Sequence, residues 1–283
     1  MKKILITAAL AVLVIGGCKK EEITDEEAIM NIVDESPFFK TSEHYEGQAV
    51  SDSGDTSHTA KGDSITPILW GREMHESLDP DIEIDIHGDS AHLRYIGYNR
   101  GYLDILTWMS DTGWILIKKP LSETFEIRAI FRRTGSETDE NRGWELTRIT
   151  GVLGVSDSIN TVRIDSVRIQ SESYPDTVLR DPLGYFDVDS ILTFSPGEDV
   201  YLTMYTNDST ARAFLHVFAV FPRHIRLPFA NLGGGLYGNQ NAWHVQLIPA
   251  PRLAVFDLMQ YETLHDTDYP YDFCGWLFPY QVK

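Results

Sequence analysis

Cysteine is nearly absent from this chain, which has two cysteines, Cys18 and Cys274, in 283 residues. If Cys18 carries a modification, only Cys274 remains and no internal disulfide can form. The folded part must then be stabilised by apolar packing and hydrogen bonds rather than by covalent cross-links. Cys274 lies between Phe273 and Gly275 in an aromatic-rich run, so we expect a buried small side chain and not a reactive thiol.

Basic residues are also scarce, with 24 Lys and Arg against 42 Asp and Glu, for a formal charge of −18. A chain this acidic is repelled by nucleic acid and by anionic lipid, which excludes nucleic-acid binding as a function class. The charge favours solubility and does not specify a partner. The apolar run at residues 4–15 is too short for a permanent membrane span, which needs roughly 20 residues.

Established catalytic motifs are missing. The sequence has no Gly-Lys-Ser/Thr phosphate loop and no Gly-x-Ser-x-Gly nucleophile elbow. Residues 52–54 and 111–113 match the three-residue core of aspartic protease motifs, but they fall in a polar loop and in a turn between strands. The glycine-rich residues 233–238 lack the preceding strand and following helix of a dinucleotide site. No enzyme class is indicated, and no cofactor is expected.

An acidic row occupies alternate positions of a predicted strand, formed by Asp81, Glu83 and Asp85 and followed by His87. Neighbouring side chains on one strand face are about 6–7 Å apart, too far for most of them to share one ion. We therefore expect a solvated strand face here and no metal site.

The N-terminus has the pattern of a secretory signal. Two lysines precede the apolar run, and small residues precede Cys18. The stretch Ile15-Gly16-Gly17-Cys18 resembles the lipobox of bacterial lipoproteins. This resemblance implies a signal peptide at 1–17, cleavage before Cys18, a lipid on its sulfur, and a lipidated tether at 18–23. The mature chain would have 22 basic and 42 acidic residues and a formal charge of −20.

The residue after the lipidated cysteine adds an expectation about the compartment. In the sorting scheme of Gram-negative lipoproteins, Asp at this place retains the protein at the inner membrane, whereas this chain has Lys19. The resemblance therefore favours the outer membrane as the location, with the membrane itself as the first partner, contacted through Cys18.

Residues 24–154 predict an α+β domain. Thr24 and Glu27 form a capping box for a helix at 25–35, and Thr66-Pro67 favours a second short helix that ends near Glu76. Residues 46–64 form a polar loop between these helices. A hairpin at 81–98 turns at Gly88-Asp89. Its predicted pairs are Ile86 with Ala91, Ile84 with Leu93, Ile82 with Tyr95, Asp85 with His92 and Glu83 with Arg94.

Further strands are predicted at 102–109, 114–119, 124–134 and 143–153, separated at 135–142 by a polar hairpin loop. Two short helices ahead of long antiparallel strands indicate an α+β unit with a curved antiparallel sheet. The order of these helices and strands, together with the last strand segment at residues 142–149, resembles the NTF2-like, cystatin-like fold. This resemblance covers residues 24–154.

Residues 160–283 predict an all-β domain that follows a linker at 151–160. Strand-like runs occur at 160–170, 186–194, 199–206, 211–221, 242–249, 252–264 and 272–282. About seven short strands separated by turns favour a β-sandwich. The segment at residues 194–202 resembles the hairpins of bacterial immunoglobulin-like modules, so the second domain is expected to be an immunoglobulin-like sandwich.

Two functions remain open at this point. The leading hypothesis is a non-catalytic binding or scaffolding role at the cell envelope, with a protein or glycan partner. Aromatic side chains crowd the last fifty residues, where they either fill the core or form a binding platform.

The alternative is a small-molecule binder or enzyme that uses a cone-shaped pocket, which the NTF2-like resemblance implies. Asp104 would act there as a general base, with His44 as the second candidate catalytic residue. The opposing interpretation is that Asp104 points to solvent and the aromatic residues fill the core. The remaining wall residues of this pocket would be Tyr45, Trp70, Tyr102 and Trp108.

Overall fold

The computed structural model describes residues 23–39, 65–220 and 223–283. Within these ranges the chain is mostly β-strand, and no helix is long and apolar enough to cross a membrane. The signal peptide and Cys18 lie outside the described residues, as do His44, Tyr45 and the predicted loop at 46–64.

The described strands are numbered in chain order. The first nine are β1 Pro67–His87, β2 Ser90–Met109, β3 Gly113–Arg133, β4 Trp144–Thr150, β5 Val152–Ser156, β6 Ile164–Gln170, β7 Thr177–Leu179, β8 Tyr185–Asp187 and β9 Leu192–Phe194. The others are β10 Asp199–Thr206, β11 Arg212–Val220, β12 Arg223–Pro228, β13 Ala230–Gly233, β14 Leu236–Gly238, β15 Trp243–His244, β16 Ala250–Met259 and β17 Phe273–Val282. The α-helices are α1 Asp25–Glu35 and α2 Tyr261–His265, and short 3-10 turns occur at Pro37–Phe39, Glu140–Gly143 and Val188–Ser190.

Helix α1 is confirmed with the bounds that the sequence predicts. The Thr24 hydroxyl accepts a hydrogen bond from the backbone N–H of Glu27, whose carboxylate accepts one from the backbone N–H of Thr24. Ala28, Ile29 and Val33 are buried on the inner side of the helix. The cap therefore fixes where α1 begins, and the apolar stripe attaches it to the sheet.

The hairpin between β1 and β2 is confirmed to the residue. All five predicted pairs are present, and Gly88 has a positive φ of 60° in the turn. Strands β2 and β3 pair without a shift from Ser90–Arg132 to Met109–Gly113. The two strands predicted at 114–119 and 124–134 are therefore parts of one long strand.

The predicted helix at 67–76 is wrong, because these residues form the first half of β1. Thr66-Pro67 is a local helix-start signal, whereas the burial of the side chains that follow it alternates with the period of two that is typical of a strand. Trp70 and Arg72 are buried and pair with Ile105 and Leu103 of β2. Tertiary burial on one strand face has outweighed the local helix-start preference.

The large sheet has the order β1-β2-β3-β5-β17-β16-β11-β12, with β4, β8 and β9 attached at its sides. It curls until its two end strands approach each other. The rings of Trp70 on β1 and Phe214 on β11 are 5.2 Å apart, and Arg226 Nη1 on β12 donates to the Trp70 carbonyl at 3.4 Å. Buried side chains of α1 and the inner sheet face fill the curl.

A smaller sheet has the order β13-β14-β10-β6-β7, with β15 paired to β10. Its inner face packs on β16 and β17 of the large sheet through a second apolar cluster that includes Val167, Met204, Phe256 and Trp276. Strand β10 has the predicted bounds. The strand predicted at 252–264 ends at Met259, and helix α2 follows it from Tyr261, so the last part of this predicted strand is wrong.

Strand pairing continues from one side of the predicted domain boundary at 154–160 to the other, within a single sheet. Strand β5 pairs with β3 of the first predicted domain and with β17 of the second. One apolar cluster contains Leu93 and Phe131 together with Val255 and Phe273. The two predicted domains therefore share a sheet and a core. The fold is β-rich with a curled antiparallel sheet, and the NTF2-like and immunoglobulin-like assignments stay predictions.

Candidate functional site

The four proposed pocket residues that the structure describes do not meet on one wall. Trp70 is 1% exposed on the inner face of β1. Tyr102, Asp104 and Trp108 alternate with the buried Leu103, so they lie on the outer face of β2. Asp104 contacts Lys118 Nζ at 3.0 Å rather than a pocket interior. These residues therefore cannot serve together with Trp70 as the lining of one interior cone.

The aromatic residues of the C-terminal fifty are mostly core residues. Tyr237, Trp243, Tyr271, Trp276 and Tyr280 are each less than 5% exposed. The packing interpretation is therefore confirmed for them. Cys274 is buried as well, and burial raises the pKa of its thiol to about 11, as expected of an unreactive cysteine.

The acidic row on β1 is a solvated strand face. Glu83 pairs with Arg94 across the strands at 3.6 Å, and Asp81 accepts a hydrogen bond from the Tyr98 hydroxyl at 2.6 Å. Asp85 lies 3.0 Å from His87 Nε2. Among the described residues no group of three or more His, Cys, Asp or Glu side chains is arranged to hold a metal ion.

The outer face of the sheet, which points away from the core, exposes apolar side chains near the turn between β2 and β3. We call Leu69, Leu106, Trp108, Trp114 and Leu116 the outer-face patch. Leu69, Leu106 and Leu116 lie side by side on three adjacent strands, and Trp108 pairs with Trp114. Trp108 and Leu116 are each 55% exposed and Trp114 is 58% exposed. The two indole rings are 5.4 Å apart at 76° to each other.

Charged residues border the outer-face patch along the same strands. Lys118 Nζ lies 2.6 Å from Glu73 Oε2 and 3.0 Å from Asp104 Oδ2, and 5.6 Å from the ring centre of Tyr102. The hydrogen bond from Lys118 lowers the pKa of Glu73, and the two carboxylates raise the pKa of Lys118. The rim is therefore polar and internally paired, around an apolar centre.

A shallow groove continues this surface further along the strands. Its volume is about 540 Å³, and its lining includes His75, Arg100, Tyr102 and Ser122. The His75 and Tyr102 rings are 5.4 Å apart at 78°. At Gly101 a Cβ would meet the Glu73 carbonyl oxygen at 2.0 Å, so a glycine is required where β1 and β2 approach here.

A cluster of charged side chains lies inside the curl, and we call it the buried charge cluster. Arg72 makes a bidentate contact with Asp257 at 2.8 and 2.9 Å and donates from Nε to the Tyr271 hydroxyl at 2.7 Å. Glu123 Oε1 is 3.4 Å from Arg72 Nε and accepts a short hydrogen bond from Tyr271. The cluster joins β1, β3 and β16 through groups that are all buried.

The other side of the cluster connects Asp257 to β11 and β12. His216 Nε2 lies 2.8 Å from Asp257 Oδ2 and 3.0 Å from Arg226 Nε. One ring nitrogen cannot donate to the carboxylate and accept from the guanidinium at once. We place the proton on Nε2, because the bond to a carboxylate is charge-assisted and an unprotonated Nε2 would set its lone pair against Asp257. Arg226 Nε then loses this acceptor, and the lone pair on Nδ1 has no partner among the described residues.

The electrostatics of the cluster follow from burial and opposite charge. Burial opposes ionisation of Asp257, but Arg72 and the His216 hydrogen bond outweigh it and hold the pKa of Asp257 far below its usual range. Burial, with the charge of Arg226, lowers the pKa of His216 to about 4, and His216 is therefore neutral at pH 7. Burial and the charge of Arg72 lower the pKa of Arg226 to about 9.

Arg226 is also held by aromatic rings. Its guanidinium carbon lies 3.6 Å from the ring centre of Trp70, and that of Arg72 lies 4.6 Å from the ring centre of Phe273. Such contacts favour a cation that burial would otherwise destabilise. The cluster joins distant strands through buried ion pairs and hydrogen bonds, which is the arrangement of a structural network.

A further buried cation fixes helix α2. Lys119 Nζ donates to the carbonyls of Thr263 and Tyr269 at 2.7 and 2.8 Å and closely approaches that of Asp266. Burial lowers the pKa of Lys119 to about 8. Sequence reasoning missed this role, because the carbonyls belong to residues more than 140 positions away.

Acid should weaken the fold through His216. Its pKa is about 4 in the folded protein and about 6.5 when unfolded, so the unfolded chain binds more protons between these values. The stability that neutral His216 contributes is complete above about pH 6.5 and is lost as the pH falls to about 4, with a slope of at most about 1.4 kcal/mol per pH unit. Urea unfolding of wild type and His216→Gln between pH 7 and 4.5 measures this difference.

The matched control is His92→Gln, which removes an exposed histidine from the outer face of β2. It should keep the wild-type pH dependence, whereas His216→Gln should flatten it. Equal slopes in wild type and His216→Gln would contradict the assignment of a buried neutral imidazole.

Comparison with known proteins gives no family for this chain: no protein-family model, no curated protein and no solved structure matches it. A functional assignment must therefore be argued from the contacts, burial and charge of its own residues. Two of the features described above are the outer-face patch with its charged rim and the buried charge cluster. Of these two, only the outer-face patch is accessible to another molecule.

Proposed function

We propose that the chain is a lipid-anchored, non-catalytic protein of the bacterial cell envelope that binds another envelope protein through the outer-face patch. The observation that carries this proposal is the exposure of two tryptophans and two leucines, with the partly buried Leu106 between the leucines, on a sheet face whose reverse side is a core. Contiguous exposed apolar patches on soluble proteins mark interaction sites.

The composition of the patch fits a protein interface. Trp108 and Trp114 are large side chains of the type that dominates binding energy at protein contacts. The leucine row supplies a flat apolar surface, and the paired charges of Glu73, Asp104 and Lys118 form a polar rim. An apolar centre inside a polar rim is the usual anatomy of such interfaces.

A protein partner is favoured over a glycan by the angle between the two indole rings. A sugar ring stacks on an aromatic face, and a platform for several sugars presents its rings side by side. Trp108 and Trp114 are instead at 76°, with the edge of one ring against the face of the other. This packing leaves an irregular apolar knob, which suits insertion into a pocket of a protein partner.

The position of the patch relative to the anchor also supports this proposal. Asp25 at the start of α1 pairs with Arg133 at one end of β3, whereas Trp114 lies near the other end. Trp114 and Arg133 are 19 positions apart, which corresponds to roughly 60 Å of strand. Cys18 and Asp25 are seven positions apart, so the tether reaches at most about 25 Å. The patch would therefore lie near the end of β3 that is remote from the anchor, beyond the reach of the tether, and Lys19 favours the outer membrane as the anchoring membrane.

Replacing Cys18 with alanine should prevent lipid attachment and release the protein into the soluble fraction. If the signal peptide stays uncleaved in this variant, its apolar run at 4–15 is too short to serve as a permanent membrane span. Mass spectrometry of the N-terminus should find an acylated Cys18 in the wild type. An unmodified N-terminus that begins elsewhere would show that the lipobox resemblance is misleading.

The docking surface can be tested in cells with a photoreactive amino acid at Leu116. Irradiation should link the chain to one discrete envelope protein, and Trp114→Ser should reduce the yield several-fold. Leu116 and Trp114 are exposed, so the substitutions should leave the unfolding midpoint nearly unchanged.

A matched control carries the same photoreactive group at Tyr201, which is 52% exposed on the smaller sheet. It should not yield the same linked species. Equal labelling from both positions, or no linked protein from Leu116, would count against the outer-face patch as the interface.

A further inference from the structure

A second groove lies between the two sheets, on the side where β5 and β17 face the start of β6. Its volume is about 510 Å³, within the range of roughly 300–1,000 Å³ that small-molecule sites occupy. The groove belongs to a different part of the surface from the outer-face patch, because none of its lining residues lies on β1, β2 or β3.

The floor of this groove is apolar. Leu153 pairs with Trp276 and Val155 with Cys274 on adjacent strands, so the four side chains form one surface. Val162, Ile164 and Pro182 form the facing wall. Leu153 and Val155 are only partly buried, although Trp276, Cys274 and Val162 are each at most 3% exposed. The smaller sheet therefore leaves part of the apolar floor uncovered.

The rim of the groove carries an excess of positive charge. Arg163 is paired with Asp165 through Nε and Oδ1 at 2.7 Å. Arg180 lines the same groove, is exposed, and makes no hydrogen bond or ion pair with any residue in the described part of the chain. In a chain with 42 acidic and 24 basic residues, an unpaired guanidinium beside an uncovered apolar floor is a specific feature.

We propose that this groove binds a single-chain amphipathic carboxylate, with its apolar chain between Leu153, Val155 and Trp276 and its carboxylate on Arg180. A guanidinium binds a carboxylate by two parallel hydrogen bonds, which suits this ligand class. Burying an alkyl chain against the floor would be favourable, because it removes apolar surface from water. The conformational cost of forming the site would be small, since the groove is already open. An alcohol of the same length lacks the charge that Arg180 recognises.

The probe for this site is decanoate, kept below its micellar concentration. The protein carries Cys18→Ala, so that no acyl group of its own competes for the groove. Isothermal titration measures affinity, and ¹⁹F spectra of fluorotryptophan-labelled protein locate the ligand. Decanoate should shift the resonance that Trp276→Phe removes, and should leave those of Trp108 and Trp114 in place. Arg180→Gln should weaken binding about tenfold or more, the loss expected for one charge-assisted contact.

Arg132→Gln is the matched control, since it removes an exposed arginine from the far end of β3 and should leave the affinity unchanged. Decanol should bind at least about tenfold more weakly than decanoate, because it cannot form the charged contact. Val155→Phe, which fills the groove with an apolar side chain, should abolish the Trp276 shift.

Four results would overturn the proposal. They are the absence of decanoate binding, equal binding of decanol, equal affinity in Arg180→Gln and Arg132→Gln, and a ligand shift at Trp108 and Trp114 instead of Trp276. Binding of dihexanoylphosphatidate without binding of decanoate would likewise exclude a single-chain carboxylate and indicate a lipid headgroup. None of these results depends on whether the outer-face patch binds a protein.

Discussion

The contact between Arg72 and Asp257 connects parts of the chain that are 185 residues apart, and the curled sheet depends on it. It joins β1, at one end of the large sheet, to β16 near the other end. Both side chains are buried, so neither charge is tolerated without its partner. Further polar groups contact this pair, and they belong to Glu123, Tyr271 and His216. The cluster thus replaces water around the charges of Arg72 and Asp257.

The inner network and the outer surface belong to the same strands. Trp70 faces the core and Leu69 the patch, and Ile105 and Leu106 show the same alternation. A strand whose inner residues are fixed by packing and ion pairs holds its outer residues in place as well. Two exposed tryptophans on such a support lose little conformational freedom when they bind, which favours affinity. The binding role proposed for the outer face therefore rests on the rigidity of the core beneath it.

Local features of the fold could be predicted from the sequence, whereas features created by distant contacts could not. Thr24 and Glu27 define the start of α1, and Gly88-Asp89 with its charge pairs defines the register of β1 and β2. The helix predicted at 67–76 failed because a two-residue start signal competes poorly with burial of Trp70 and Arg72. Alternation showed that Tyr102 and Asp104 share a face, but one strand alone does not reveal which face is outward.

The buried charge cluster escaped prediction because its members come from five strands and the residue Tyr271 that precedes β17. The one available signal was a charged or polar residue within an apolar run, such as Asp257 between Phe256 and Leu258 or His216 between Leu215 and Val217. Such residues are buried in these strands only when partners are supplied from elsewhere in the chain.

The most direct test of this account is a double-mutant cycle on the full chain with Arg72→Met, Asp257→Leu and both changes together, followed by urea unfolding. Each single change should lower the free energy of unfolding by about 3–5 kcal/mol, because it leaves a buried charge without its partner. The double variant should lose at least about 2 kcal/mol less than the sum of the two single losses. Strictly additive losses, or single losses below about 1 kcal/mol, would contradict the claim that this pair holds the curled sheet closed.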